Sequence, residues 1–189
     1  MALGAAAVVL MTACSKSDVG PWKEEVKLSN GQVIVVERYE TFDLKRPIGD
    51  PGSAFIEEAR IKFILPSELR SMPELIMRYR PVILDYDAVG NLWFAIGVND
   101  RACGAFREGH MDSTGRVNLH PNFEFRLIDG GWREVEIGPE RLGLSANLLI
   151  QRKTIDQFEV FPLAEKFRID SDNRLPKEYR SIQPHIGCG

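Results

Sequence analysis

Short runs in which apolar and polar residues alternate recur along the chain, each bounded by turn-forming residues. In "WKEEVKLSNGQVIVVERYETF", Val26 and Leu28 alternate with Lys27 and Ser29, and Val33 to Tyr39 is β-branched and aromatic. Asn30-Gly31 between them can supply both positive φ values of a type I′ turn, so residues 23–40 are predicted to form a hairpin. Asp43 to Ser53, with Pro47, Gly49, Pro51 and Gly52, reads as a loop. Ala59, Ile61, Phe63 and Leu65 then mark a strand with one buried face, closed by Pro66. Ser67-Glu68 could start a helix, but Pro73 interrupts it, and Leu75, Met77 and Tyr79 fit a two-residue period; a short strand is expected after Pro73. "PVILDYDAVGNLWFAIGV" predicts a second hairpin turning through Asp87, Gly90 and Asn91. "FEFRLIDGGWREVEI" predicts a third, turning through Asp129-Gly130-Gly131. Asn147 to Gln151 reads as one more strand, and Lys166 to Ile169 as an edge. The expected fold is mainly β: antiparallel hairpins forming a sandwich or partly open barrel.

The first thirteen residues break this pattern. Met1 to Ala13 is uncharged and apolar, too short to cross the ~30 Å hydrocarbon core of a bilayer, and reads as a signal-peptide core without the usual positive start. Met11-Thr12-Ala13-Cys14 resembles the bacterial lipobox, in which small residues precede a Cys that is acylated and becomes the mature N-terminus. That resemblance implies lipidation at Cys14, and Ser15 rather than Asp after it implies sorting to the outer membrane. One acyl chain binds membranes marginally and two or more anchor stably. The alternatives are an ordinary secretory signal with a stray Cys, or a buried helix. The expected organisation is a signal peptide over 1–13, a polar tether over 14–21 and a single β-rich periplasmic domain over 22–189. The chain from Cys14 onward, 176 residues, is of a size at which a single domain buries roughly 70% of its unfolded surface.

Charge narrows the partners. Charged residues make up 27% of the chain, signs are interspersed and the formal net charge is −3. Nucleic acid and anionic headgroups both call for a basic stripe, so neither is an expected partner.

Cys103 and Cys188 remain once Cys14 is assigned to lipid. Export to an oxidising compartment and even parity point to a Cys103–Cys188 disulfide, closing a loop of about 85 residues and stabilising the fold by about 4 kcal/mol on the chain-entropy model. Two buried free thiols are the plainer alternative. A zinc site of Cys103, His110, His185 and Cys188 has suitable ligand types but lacks the short spacing of zinc knuckles. A Cys103-His110 nucleophile pair has no visible orienting group, and His120, before Pro121, reads as loop surface. Asp85 and Asp87 have the first spacings of a calcium loop, but Val89 and Ile96 occupy two required ligand positions, so calcium is not expected. The same stretch is similar to a β-propeller turn in which Asp caps and Trp packs, although one copy does not make a propeller. No hydrolase, metalloprotease, P-loop or dinucleotide motif is present, and neither a cofactor nor a metal is expected. The adjacent acids Glu24-Glu25 and Glu57-Glu58 would project to opposite strand faces, while glycosidase carboxylates could still come from distant strands. Trp22, Trp93 and Trp132, with Phe94, Phe106, Phe123 and Phe125, are expected mostly in the core; Trp132, just after a turn, could instead form a ligand rim.

Taken with Cys14, the run Trp22 to Arg38 resembles the opening of small, functionally uncharacterised lipoproteins of Gram-negative bacteria, some carried on prophages. The resemblance covers the N-terminal fifth well and the later hairpins loosely. It implies location and fold, and brings no catalytic residues. The expectation is therefore an outer-membrane lipoprotein facing the periplasm that binds another envelope protein or glycan. An envelope hydrolase acting on glycan or lipid, and a prophage-encoded exclusion lipoprotein, are the alternatives.

Overall fold

The computed structural model describes residues 16–43, 55–99, 122–149, 155–170 and 181–182. Among the described residues, eight strands form two four-stranded antiparallel sheets, each a simple meander. The first contains β1 (Lys16–Lys27), β2 (Val33–Asp43), β3 (Phe55–Leu65) and β4 (Leu75–Met77); the second contains β5 (Arg80–Asp87), β6 (Leu92–Val98), β7 (Asn122–Ile128) and β8 (Gly131–Val135). The expected β fold is thus present as two sheets, without a closed barrel.

The two-residue period decides which side chains lie between the sheets. Val26, Ile34, Val36, Ile61, Phe63 and Leu75 of the first sheet share one buried cluster with Leu84, Ala95 and Phe125 of the second. Aromatic rings close the seam: Phe63 meets Trp93 edge-on at 5.0 Å, and Tyr79 stacks on Phe123 at 4.0 Å. Gly97 of β6 is needed at this crossing, because a Cβ there would lie 2.6 Å from Tyr79 Cβ and 2.9 Å from Met77 Sδ. The second sheet is covered on its other face too. Val82, Ile83, Phe94, Ile96 and Val98 pack there against Ile137, Leu144 and Ile182.

Each predicted hairpin is present, with one change of turn. Of Asn30 and Gly31 only Gly31 takes a positive φ, of 87°. Gly31 N–H donates to Leu28 O (2.9 Å) and Leu28 N–H to Gln32 O (2.8 Å), giving a three-residue loop in place of the two-residue type I′ turn. Asn30 instead accepts the Gln32 N–H on its side chain at 2.9 Å. Ser67–Ser71 forms a 3-10 turn, and the short strand β4 follows Pro73.

Three segments depart from the sequence expectation. The segment read as a tether pairs with β2 from Lys16↔Asp43 to Val19↔Glu40, so the strand starts well before Trp22. Asn147–Leu149 is not a strand. Leu148 and Leu149 are both buried, and the Asn147 and Leu148 N–H groups both donate to the single carbonyl of Val82 (3.1 Å each), an arrangement no strand ladder makes. The Asn147 side chain takes the role of a ladder partner at the β5 edge, accepting Leu84 N–H (3.0 Å) and donating to Leu84 O (2.8 Å). Lys166–Ile169 lies not on a strand edge but inside helix α1 (Leu163–Asp170). Helix entry is fixed by Glu25, whose carboxylate accepts Leu163 N–H at 2.9 Å and satisfies a donor with no intrahelical partner.

Replacing Gly97 with Ala should destabilise the protein by about 1–3 kcal/mol through overpacking, read as a lowered chemical-denaturation midpoint with an unchanged slope.

Candidate functional site

Among the described residues two charge clusters are buried, one on the inner face of the first sheet and one on the outer face of the second. The first grows from inward positions of β1 and β2: Glu24 shares its face with Trp22 and Val26, and Arg38 and Glu40 share theirs with Val36 and Phe42. Arg38 is 1% exposed and bridges four elements. Its NH1 donates to Glu24 Oε1 (2.6 Å) and Leu149 O (2.8 Å), and its NH2 to Glu40 Oε1 (2.6 Å) and, more distantly, Pro81 O (3.5 Å). The Trp22 ring lies 5.0 Å from the guanidinium carbon. From α1, Lys166 Nζ pairs with Glu24 Oε2 and donates to Asn147 O at 2.9 Å. Glu24 Oε2 also accepts Leu149 N–H at 2.8 Å. Burial alone would push the Glu24 carboxyl up, but Lys166 and Arg38 together outweigh it and hold the group below its ordinary value of 4.5. These four ionisable groups balance in charge and join five segments, a structural role.

The second cluster lies on the other face of the second sheet. Glu124 of β7 is fully buried and accepts from Arg126 Nε (2.7 Å), Arg141 Nε (3.1 Å) and Gly138 N–H (3.4 Å). Arg141, in the 3-10 turn Pro139–Arg141, lies with its guanidinium carbon 3.8 Å from the Phe94 ring centroid. Its NH2 reaches Asp87 Oδ2 at 3.3 Å. Asp87 caps the β5–β6 turn as the sequence reading expected, accepting Val89 N–H (3.0 Å) and Gly90 N–H (3.1 Å). The Gly90 N–H does most to hold the Asp87 carboxyl below its ordinary range, helped by Val89 and Arg141 against partial burial.

This cluster walls a cleft of about 330 Å³ at one end of the sandwich, where the β1–β2 loop, the β5–β6 turn and Pro139–Arg141 converge. Asp85 lies at its base, 7% exposed, and its Oδ1 accepts Ser29 N–H (2.9 Å), Ser29 Oγ–H (3.2 Å) and Tyr86 N–H (2.8 Å). Phe94 and Leu144 give apolar wall, and Val89 at the mouth is 100% exposed.

Of the residues singled out from sequence, Cys14, Cys103, Cys188, His110, His120 and His185 lie outside the described residues, as does Phe106. Trp22 is buried, while Trp93 and Trp132 are partly buried against the core; the Trp132 indole N–H donates to Pro73 O at 2.9 Å. The described residues hold no group of three or more His, Cys, Asp or Glu arranged for a metal, and no helix long and apolar enough to cross a membrane. The charge clusters were missed, although parity offered a signal: Glu24, Arg38 and Glu40 fall on the same two-residue phase as Val26, Ile34 and Phe42. No protein family matches the chain, and no curated protein or solved structure matches it.

Arg38→Met would leave Glu24 and Glu40 buried with less compensation, and should cost about 3–5 kcal/mol in chemical denaturation at pH 7. Because the Glu24 carboxyl is lowered on folding, its contribution is present above pH 4.5 and is lost as pH falls below that value. Glu24→Gln should therefore flatten the acid limb of the stability profile, and an unchanged acid limb would contradict this assignment.

Proposed function

We propose that the chain is an envelope lipoprotein anchored by acyl groups on Cys14, sorted to the outer membrane with its domain facing the periplasm, and that it acts as a binding module through the end cleft. A Cys103–Cys188 disulfide belongs to the same reading, since both thiols would meet the oxidising periplasm.

One observation carries the assignment of the cleft: its position relative to the N-terminus. Strand β1 starts at Lys16 and ends at Lys27, and the loop after it forms one wall of the cleft. Twelve extended residues span about 35–40 Å. An acyl anchor two residues before Lys16 would hold one end of the sandwich at the bilayer and present the cleft at the other, facing envelope components rather than the lipid surface.

The chemistry favours binding over hydrolysis. A glycosidase needs a carboxylic acid kept protonated by a raised pKa. Asp87 is displaced in the opposite direction and has both oxygens engaged.

A photo-crosslinking residue at position 89 in the full chain, expressed in a Gram-negative host, should trap a discrete envelope adduct that is absent when the crosslinker replaces exposed Lys62. Mass spectrometry of the native protein should find a mature N-terminus at an acylated Cys14, and Cys14→Ser should move the chain to the soluble fraction and reduce the adduct. An intact, unacylated N-terminus would overturn the anchor; equal adducts at positions 89 and 62 would overturn the assignment of the cleft.

A further inference from the structure

Strand β4 ends the first sheet, and its two edges differ. One pairs with β3 through Ala59↔Met77, Arg60↔Ile76 and Ile61↔Leu75; among the described residues no strand pairs with the other. The remaining edges of the sandwich are partly closed or guarded. Phe161 bonds to the β1 backbone at Lys23 and Glu25, and the Asn147 side chain serves the edge of β5. β8 ends the second sheet, but Arg133 and Glu134 are both exposed there, and antiparallel pairing with a copy of itself centred on either residue sets like charges opposite each other. β4 has no such guard. Its central residue, Ile76, is 49% exposed, and the exposed Glu74 and Arg78 flank it symmetrically with opposite signs. Among the described residues neither flanking charge is held in an ion pair, and neighbouring Arg60 is already bound to Glu58 at 2.6 Å.

We propose that β4 pairs antiparallel with β4 of a second copy of this chain, about a two-fold axis through Ile76. Directly opposed residues of an antiparallel pair share a face, so an axis perpendicular to the sheet at Ile76 sets Glu74 opposite Arg78 of the second copy, and by symmetry does so twice. Between those ion pairs Ile76 meets its own equivalent and is shielded from water. On the inner face Leu75 lies opposite Met77 of the second copy; both are buried within each chain, so the two cores run on across the junction. A parallel neighbour in the same register would instead set Glu74 beside Glu74 and Arg78 beside Arg78. The order of charges thus selects an antiparallel copy. The symmetry closes on itself, giving an isologous dimer in which the two first sheets become one. A strand of three residues makes a small contact, so the dimer is a weak one, with a dissociation constant of about 0.1 mM. It depends on neither the cleft nor the acyl anchor.

The test is sedimentation equilibrium of the full 189-residue chain in density-matched neutral detergent, at concentrations up to about 0.5 mM. A reversible monomer–dimer equilibrium is expected, weakening as salt is raised. Glu74→Arg and Arg78→Glu each turn two attractive pairs into two repulsive ones, and each should raise the dissociation constant about tenfold or more. Mixed in equal amounts, the two single variants should associate again, because the mixed pair sets two arginines of one chain against two glutamates of the other. Ile76→Lys places two ammonium groups at the axis and should abolish pairing. All three positions are exposed, so each variant should keep the denaturation midpoint of the unmodified chain. A monomer throughout the concentration range, dimers undiminished in both single variants, or single variants that stay monomeric when mixed would each overturn the proposal. Association through the apolar residues 1–13 would persist in every variant, and so would count against it.

Discussion

The guanidinium of Arg38 sits where a sandwich of this size ordinarily holds hydrocarbon, and each of its terminal nitrogens joins parts of the chain that are far apart in sequence. Leu149, 111 residues away, accepts from one; Pro81, at the start of the second sheet, lies near the other. A buried cation persists only when its desolvation is offset by close opposite charge and hydrogen bonds. Glu24 and Glu40 provide the charge, and the carbonyls complete the shell. Glu24 in turn needs Lys166, which is how α1 is drawn onto the edge of β1. Phe161 accompanies it, exchanging hydrogen bonds with the β1 backbone at Lys23 O (2.8 Å) and Glu25 N (3.0 Å). A free strand edge invites pairing with other chains, and here the C-terminal segment covers that edge because the charge cluster holds it there.

The same economy of edges explains the other departures from strand periodicity. Asn147 pairs with Leu84 through its side chain at the outer edge of β5, so this segment needs no ladder of its own. This segment reads as irregular in sequence because it meets the edge through a side-chain amide and two N–H groups on one carbonyl, which leaves no two-residue period.

The hairpins were legible because their turns and their alternation agree. Asp129 and Gly130 both take positive φ, and Phe125 lies on the inner face as its parity requires. What stayed illegible was the second buried face. Glu124 and Arg126 look solvent-facing in "FEFRLI" when only one side of the sheet is taken as covered, yet Glu124 is fully buried beneath Gly138 and Arg141. That covering segment lies more than ten residues further on, beyond any local period. Asp85 and Asp87 were visible as a pair with calcium-loop spacing; the turn cap made by Asp87 is local and was legible, whereas the task of Asp85, holding Ser29, depends on a loop 56 residues away. Cleft and core are therefore linked: the covering segment that buries Glu124 also brings Arg141 to Asp87.

The Arg38 cluster couples helix α1 to the first sheet, and a double-mutant cycle between Glu24 and Lys166 measures that coupling. Glu24→Gln, Lys166→Met and the double variant would be compared by chemical denaturation at pH 7. An interaction energy of about 1–3 kcal/mol is expected, with the double variant less destabilised than the sum of the two single ones. Strictly additive losses would mean that Lys166 and Glu24 do not act together, and the coupling of helix to sheet would have to be abandoned.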